Sequence, residues 1–157
     1  MSDYSDQVAA IAARLNTVTD IGQVHARTRF SADWSTYLDH MKATVSGAST
    51  IRGWMIAPTE VSSSPGAFAA NDREYQWDVF GIQSFSDSTN TEAAFYALVE
   101  LVMDALDFRK DLGVGTVIDF SVGPTSARFE HRMFGSVLCH AVTLTVRATT
   151  RKSGTYA

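Results

Sequence analysis

The sequence predicts an α+β domain: a single mixed or antiparallel sheet, with a long helix and one or two shorter helices packed on one face. Two observations carry this expectation. Several segments with strand-like alternation lie on both sides of one long amphipathic stretch, which starts near Glu92 and runs to about Phe108. With one sheet and few helices, the helices belong together on one side of it. A chain of 157 residues and 17.1 kDa is the size of one domain, and folding at that mass buries about 69% of the unfolded surface. We place that domain at residues 1–150 and expect residues 151–157 to be a flexible tail.

Tyr4, Val8, Ile11 and Leu15 recur at helical spacing among alanines, and Ser2 or Asp3 can cap that first helix. Gly22 closes the turn that follows. Gln23 to Phe30 reads as a first strand with Arg27 and Arg29 on its polar face. Trp34, Tyr37, Leu38 and Met41 then mark a short helix. Ser49 to Ala57 reads as a strand ended by Pro58, which cannot donate to a ladder. Residues 59–72, with Ser62-Ser63-Ser64-Pro65-Gly66, read as a long loop.

Glu74 to Phe85 puts Tyr75, Trp77 and Val79 on one face and Phe80 and Ile82 on the other, as in an interior strand. Caps between Asp87 and Thr91 open the long helix, whose apolar stripe is Phe95, Leu98, Val102, Ala105 and Leu106. Leu112-Gly113-Val114-Gly115 stops it. Thr116 to Val122 is a strand, and Ala127 to Met133 is another, with Arg128, Glu130 and Arg132 on one face. Phe134-Gly135-Ser136 turns the chain into a last strand, Val137 to Thr149. Its core face is Leu138, Val142, Leu144 and Val146.

Composition narrows the function. Hydrophobic residues make up 45% and charged residues 19%, which is globular. No apolar run is long enough for a membrane span. The acidic opening Met1-Ser2-Asp3-Tyr4-Ser5-Asp6 is unlike a signal or transit peptide. One cysteine, Cys139, leaves no internal disulfide framework and fits a reducing compartment. The net charge of −4 argues against nucleic-acid grip as the main task. That charge is unevenly spread. Residues 128–157 hold five basic side chains against Glu130, a local +4, while residues 1–127 hold 8 basic and 16 acidic, a local −8.

No catalytic constellation is visible. Cys139 and His140 are neighbours on a strand, so they point to opposite faces and cannot act as a nucleophile–base pair. His25, His40, His131 and His140 lack zinc-motif spacing. Gly113-Val114-Gly115-Thr116 lacks the Lys-Ser/Thr ending of a phosphate loop. Asp119 is either a buried carboxylate of raised pKa or a water-facing strand residue. We therefore expect no enzyme activity and no cofactor.

One feature breaks a local rule. Glu100, Asp104, Asp107 and Asp111 share one side of the long helix, where like charges repel by a few tenths of a kcal/mol per pair. The last three also lie toward the negative end of the helix dipole. Either this face is simply solvated, or it is kept acidic for a partner or to repel DNA.

The order and length of the elements also carry a resemblance. The segments are Gln23-Val24-His25-Ala26-Arg27 after a first helix, Ile51-Arg52-Gly53-Trp54-Met55-Ile56, and Tyr75-Gln76-Trp77-Asp78-Val79-Phe80-Gly81-Ile82 before the long helix. Arg128 to Arg132 and Ala141-Val142-Thr143-Leu144-Thr145-Val146 complete the set. Over roughly residues 3–148 the chain resembles the tail terminator, or tail completion, proteins of long-tailed bacteriophages.

The resemblance implies a structural virion protein made in the bacterial host cytoplasm and placed at the head-proximal end of the tail. Such subunits form hexameric rings that cap the tail tube, end its polymerisation and join it to the head. The implied partners are further copies of this chain, the tail tube protein and a neck or head-completion protein. DNA would pass through the channel without specific binding, and no membrane is involved. The alternatives are a head-closure or neck adaptor of the same particle, or a small ligand-binding or enzymatic domain with a curved sheet. The last fits less well, because here strands precede the longest helix.

A head-to-tail ring needs two different complementary patches. The candidates are the acidic Glu100, Asp104, Asp107 and Asp111 and the basic Arg147, Arg151 and Lys152. Phe68, in a loop expected to be mobile until assembly, is the candidate contact to another virion protein.

Overall fold

The computed structural model describes residues 3–66, 70–107 and 124–153. In chain order they form α1 (Asp3–Leu15), β1 (Gln23–His25), α2 (Trp34–Asp39), β2 (Lys42–Val45), β3 (Ala48–Pro65), β4 (Ala70–Ser84), α3 (Thr91–Leu106), β5 (Pro124–Phe134) and β6 (Val137–Ser153). The strands make one mixed sheet in the order β1-β3-β4-β6-β5, with β2 also paired to β3. Only β1 runs parallel to its neighbour. The α+β expectation holds.

Strand alternation gives the sheet two distinct faces. On the first, Trp54, Ile56, Trp77, Val79, Val142, Leu144 and Val146 meet Val8, Ile11 and Leu15 of α1 and Phe95, Leu98, Val99, Val102 and Leu106 of α3. The long helix and one shorter helix thus share a face. On the second, α2 covers only part of the sheet, where Tyr37, Leu38 and Met41 pack on Met55, Ile82, Phe134, Cys139 and Ala141. β4 lies between β3 and β6, the interior position its two apolar faces suggest.

Two short turns fix the register of their hairpins. Ser46 and Gly47 both adopt positive φ, 50° and 81°, between β2 and β3, the pattern of a type I′ turn. Between β5 and β6, Gly135 has φ 62° at the first central position, and Phe134 pairs with Val137.

Several boundaries differ from the sequence reading. The first strand ends at His25 instead of Phe30, because its ladder spans only Gly53–Met55. Pro58 does not end β3. Among the described residues β3 pairs beyond it with β4 alone, and an edge position tolerates a missing donor. A bulge between Pro58 and Glu60 absorbs the irregularity. Of the expected loop at 59–72, residues up to Pro65 and from Ala70 onward are paired strand instead, with Pro65 opposite Asn71.

The expected tail is also corrected: β6 pairs through Arg151, Lys152 and Ser153 with Asp72, Asn71 and Ala70. Leu138 has the parity of the core face but lies beyond the helices and is exposed. Asn90, the residue before α3, makes no side-chain cap; the hydroxyl of Thr91 accepts from the Ser86 amide instead, at 2.8 Å. The helix stop at 112–115, the strand Thr116–Val122 with Asp119, and residues 154–157 of the tail lie outside the described residues.

Trp54 lies across Gly81, its partner on β4, and a Cβ there would run into the six-membered ring of the indole. Gly81→Ala should therefore destabilise the protein by about 1–3 kcal/mol through overpacking. The change should appear as a lower urea midpoint, while Gly47→Ala, which meets no neighbour, should cost only the strain of its positive φ.

Candidate functional site

The acidic residues of α3 project from the helix layer away from the core. Glu100 and Asp104 are exposed on α3, but Asp107 does not continue their stripe as expected: the helix ends at Leu106, and Asp107 follows it in an extended conformation, half-buried. Among the described residues none of the three makes an ion pair. Asp104 borders a shallow groove with Leu101, Ala105 and Thr17–Thr19. Asp111 and Phe68 lie outside the described residues.

The basic candidates are divided by strand alternation. Arg147 and Arg151 share the second sheet face, whereas Lys152 points to the first, toward α1. All three have partners in the same chain. Arg151 is bidentate on Asp72, with Nε and Nη2 each 2.8 Å from a carboxylate oxygen. Arg147 stands 3.7 Å from Glu74, and the Lys152 Nζ donates to Asp3 at 2.6 Å. The acidic stripe and the arginines therefore occupy opposite sides of the molecule.

Asp3 is a structural tie between α1 and the end of β6. It accepts from Lys152 and from the hydroxyls of Thr150 and Tyr75, at 3.3 and 3.5 Å. Burial pushes its carboxyl up, and these three partners together hold it below the ordinary carboxylate range. A depressed carboxyl stabilises the fold above the unfolded pKa and loses that effect as pH falls through the folded one. Asp3→Asn should lower the denaturation midpoint at pH 7, and its deficit against wild type should close below about pH 4.

Alternation also separates Cys139 from His140, as expected. Cys139 is buried under α2, and burial pushes its thiol up to about 11, far from nucleophilic thiolate chemistry. His140 lies on the other face against Phe95 and Phe85. Its Nδ1 is 3.2 Å from Nε2 of His131, and its Nε2 is 3.0 Å from the Thr91 hydroxyl. Thr91 also meets the amide and carbonyl of Ser86. A consistent set of donors has Thr91 donating to Ser86 O, His140 Nε2–H donating to Thr91, and His131 Nε2–H donating to His140 Nδ1. This network ties the start of α3 to the β5–β6 hairpin.

Sequence spacing did not single out the histidine pair. The signal was present: His131 and His140 are equidistant from the two-residue turn Gly135-Ser136, so the register makes them partners. Burial and the neighbouring His131 lower the pKa of His140, with Glu92 opposing. A depressed histidine adds stability that is complete above the unfolded pKa and falls away below it. The denaturation midpoint should drop as pH is lowered from about 7 to 5, and His140→Gln should flatten that slope.

Among the described residues no group of three or more His, Cys, Asp or Glu side chains is placed to hold a metal ion. None of the helices described is long and apolar enough to cross a membrane. Comparison with protein-family models and with curated proteins finds no match for this chain.

Proposed function

We propose that this protein is a structural subunit that assembles head-to-tail into a ring, as a tail terminator does at the head-proximal end of a phage tail tube. The observation that carries the reading is that the α3 acids and the arginines Arg147 and Arg151, each of which already has a carboxylate beside it, lie on opposite sides of one small domain. An acidic stripe without ion pairs among the described residues lies outside α3, and an arginine-bearing sheet face lies behind it. Surfaces so placed cannot meet within one chain but can meet between successive copies, and a heterologous contact closes into a ring when its rotation permits.

Arg147 and Arg151 would reach the neighbour's acids only by sharing or exchanging their internal partners Glu74 and Asp72. Exposed ion pairs contribute about 0–1 kcal/mol each, so charge sets register and encounter rate while apolar contact holds the ring. A net charge of −4 suits a subunit around a channel that must let DNA pass. The chemistry of Cys139 and the histidines, structural in each case, supports a non-enzymatic role.

Loss of the protein should leave full heads and abnormal tails that fail to join, as seen by electron microscopy of lysates. In solution, Glu100→Lys with Asp104→Lys should weaken self-association several-fold at low salt and much less at high salt, as read by sedimentation. Normal infectious particles without the protein would overturn the proposal.

A further inference from the structure

We propose that Phe30 is the knob of the contact between successive copies, seated in the neighbour's pocket between α3 and the β5–β6 hairpin. The choice of partner rests on the ring reading above; the residues rest on shape and charge.

Phe30 is the most exposed large hydrophobic residue described, at 82%. It is held out by anchors on both sides. The Arg29 amide donates to the Met55 sulfur at 3.3 Å, and the Arg29 guanidinium meets His40 Nδ1 at 3.1 Å. Downstream, Asp33 caps α2 through the Thr36 amide at 2.9 Å. A side chain presented by a tethered segment gives up little freedom when it docks.

The receiving pocket is lined by Phe95, Tyr96, Phe129, His131 and His140, with Glu130 and Ala141 at its margin. Tyr96 and Phe129 stand edge to face, 4.9 Å apart, as two aromatic walls. Its volume is about 180 Å³, and an apolar cavity of about 150 Å³ takes a benzene ring. One phenyl group fits it.

Charge is complementary as well. Exposed Arg27 precedes Phe30 by three residues, and Glu92, which accepts from the Tyr96 hydroxyl at 2.9 Å, stands beside the pocket. Phe30 rims a groove on the second sheet face with Met55, Phe80 and Arg132, whereas the pocket opens beside α3 on the first. A chain cannot fill its own pocket, yet it can engage one neighbour through Phe30 and another through the pocket. That is the geometry a heterologous ring requires.

The test places a cysteine beside each end of the contact, Ser31→Cys with Met133→Cys, in a Cys139→Ala chain that keeps Phe30 and the pocket walls, and adds a short bis-maleimide. A ladder of cross-linked multimers is expected from the double variant and none from either single one. Separately, Phe30→Ser should weaken self-association at least tenfold by sedimentation without lowering the urea midpoint. If wild type associates but Phe30→Ser associates equally well and no ladder forms, this contact is wrong and the ring reading stands. If wild type stays monomeric at every concentration and in the presence of tail tubes, the ring reading falls and this contact with it.

Discussion

The packing of Trp54 on Gly81 governs how the layers of this protein fit together. The indole lies against a β4 backbone without a Cβ, which brings β3 and β4 into the same aromatic layer. Its Nε1–H donates to the carbonyl of Ile21 at 3.0 Å, so the same ring fixes the turn between α1 and β1. Trp77 repeats the device one step along the sheet, donating at 2.9 Å to the Gln7 side chain of α1. Both buried N–H groups are satisfied, which removes the cost of burying an indole without a partner. With α1 tied to the sheet by the Trp77 indole and by Asp3, and the turn after it by Trp54, α3 packs beside α1 over β6. Loosening the Trp54 tie therefore disturbs α1, the turn after it and the helix layer together.

The period of two along the strands then decides what each polar residue can do. It sends Arg147 and Arg151 to one side and Lys152 to the other, although the three are close in sequence. It buries Cys139 beneath α2 while His140 turns toward α3 and finds His131 and Thr91. The basic segment near the end of the chain is therefore two devices. One is a cross-strand ladder with Asp72 and Glu74, and the other is a clamp on α1 through Asp3.

How much of this was legible in the sequence depended on the range of the interaction concerned. Helices α1 and α3 and the interior strand β4 follow from local periodicity, and their buried residues are nearly those the spacing picks out. The misread boundaries all depend on a distant partner. Pro58 ends a strand only where a neighbouring strand needs the donor it lacks, and among the described residues β3 is paired on one side only at that point. The run Ser62-Ser63-Ser64-Pro65 has weak strand propensity and is held because β4, itself anchored by β6, offers a template. Arg151 and Lys152 are drawn into the sheet by Asp72 and Asp3, acids remote in sequence. Of the charged candidates, Glu100 and Asp104 were legible because helical spacing alone places them together, whereas Asp107 was placed with them only by extending α3 past its end at Leu106. Phe30 was not legible, since an apolar residue within an alternating stretch looks like a strand residue until β1 ends at His25.

The division of labour between charge and apolar surface follows from these placements. The arginines already have carboxylate partners, so a neighbour's acids gain only the difference between two solvated pairings, which is small in water. The α3 acids give up less, because among the described residues they have no such pairing to lose, and their mutual repulsion is relieved by any approaching cation. Such a surface biases the orientation in which copies meet without deciding whether they stay together. Retention requires removing apolar area from water, worth roughly 25 cal/mol per Å². Two places where the described surface offers that area as clustered aromatic side chains are Phe30 beside Phe80, and Tyr96, Phe129 and Phe85 near α3. These two clusters lie on opposite faces of the sheet, as the α3 acids and the two arginines do. Orientation by charge and retention by aromatic contact then favour the same head-to-tail arrangement.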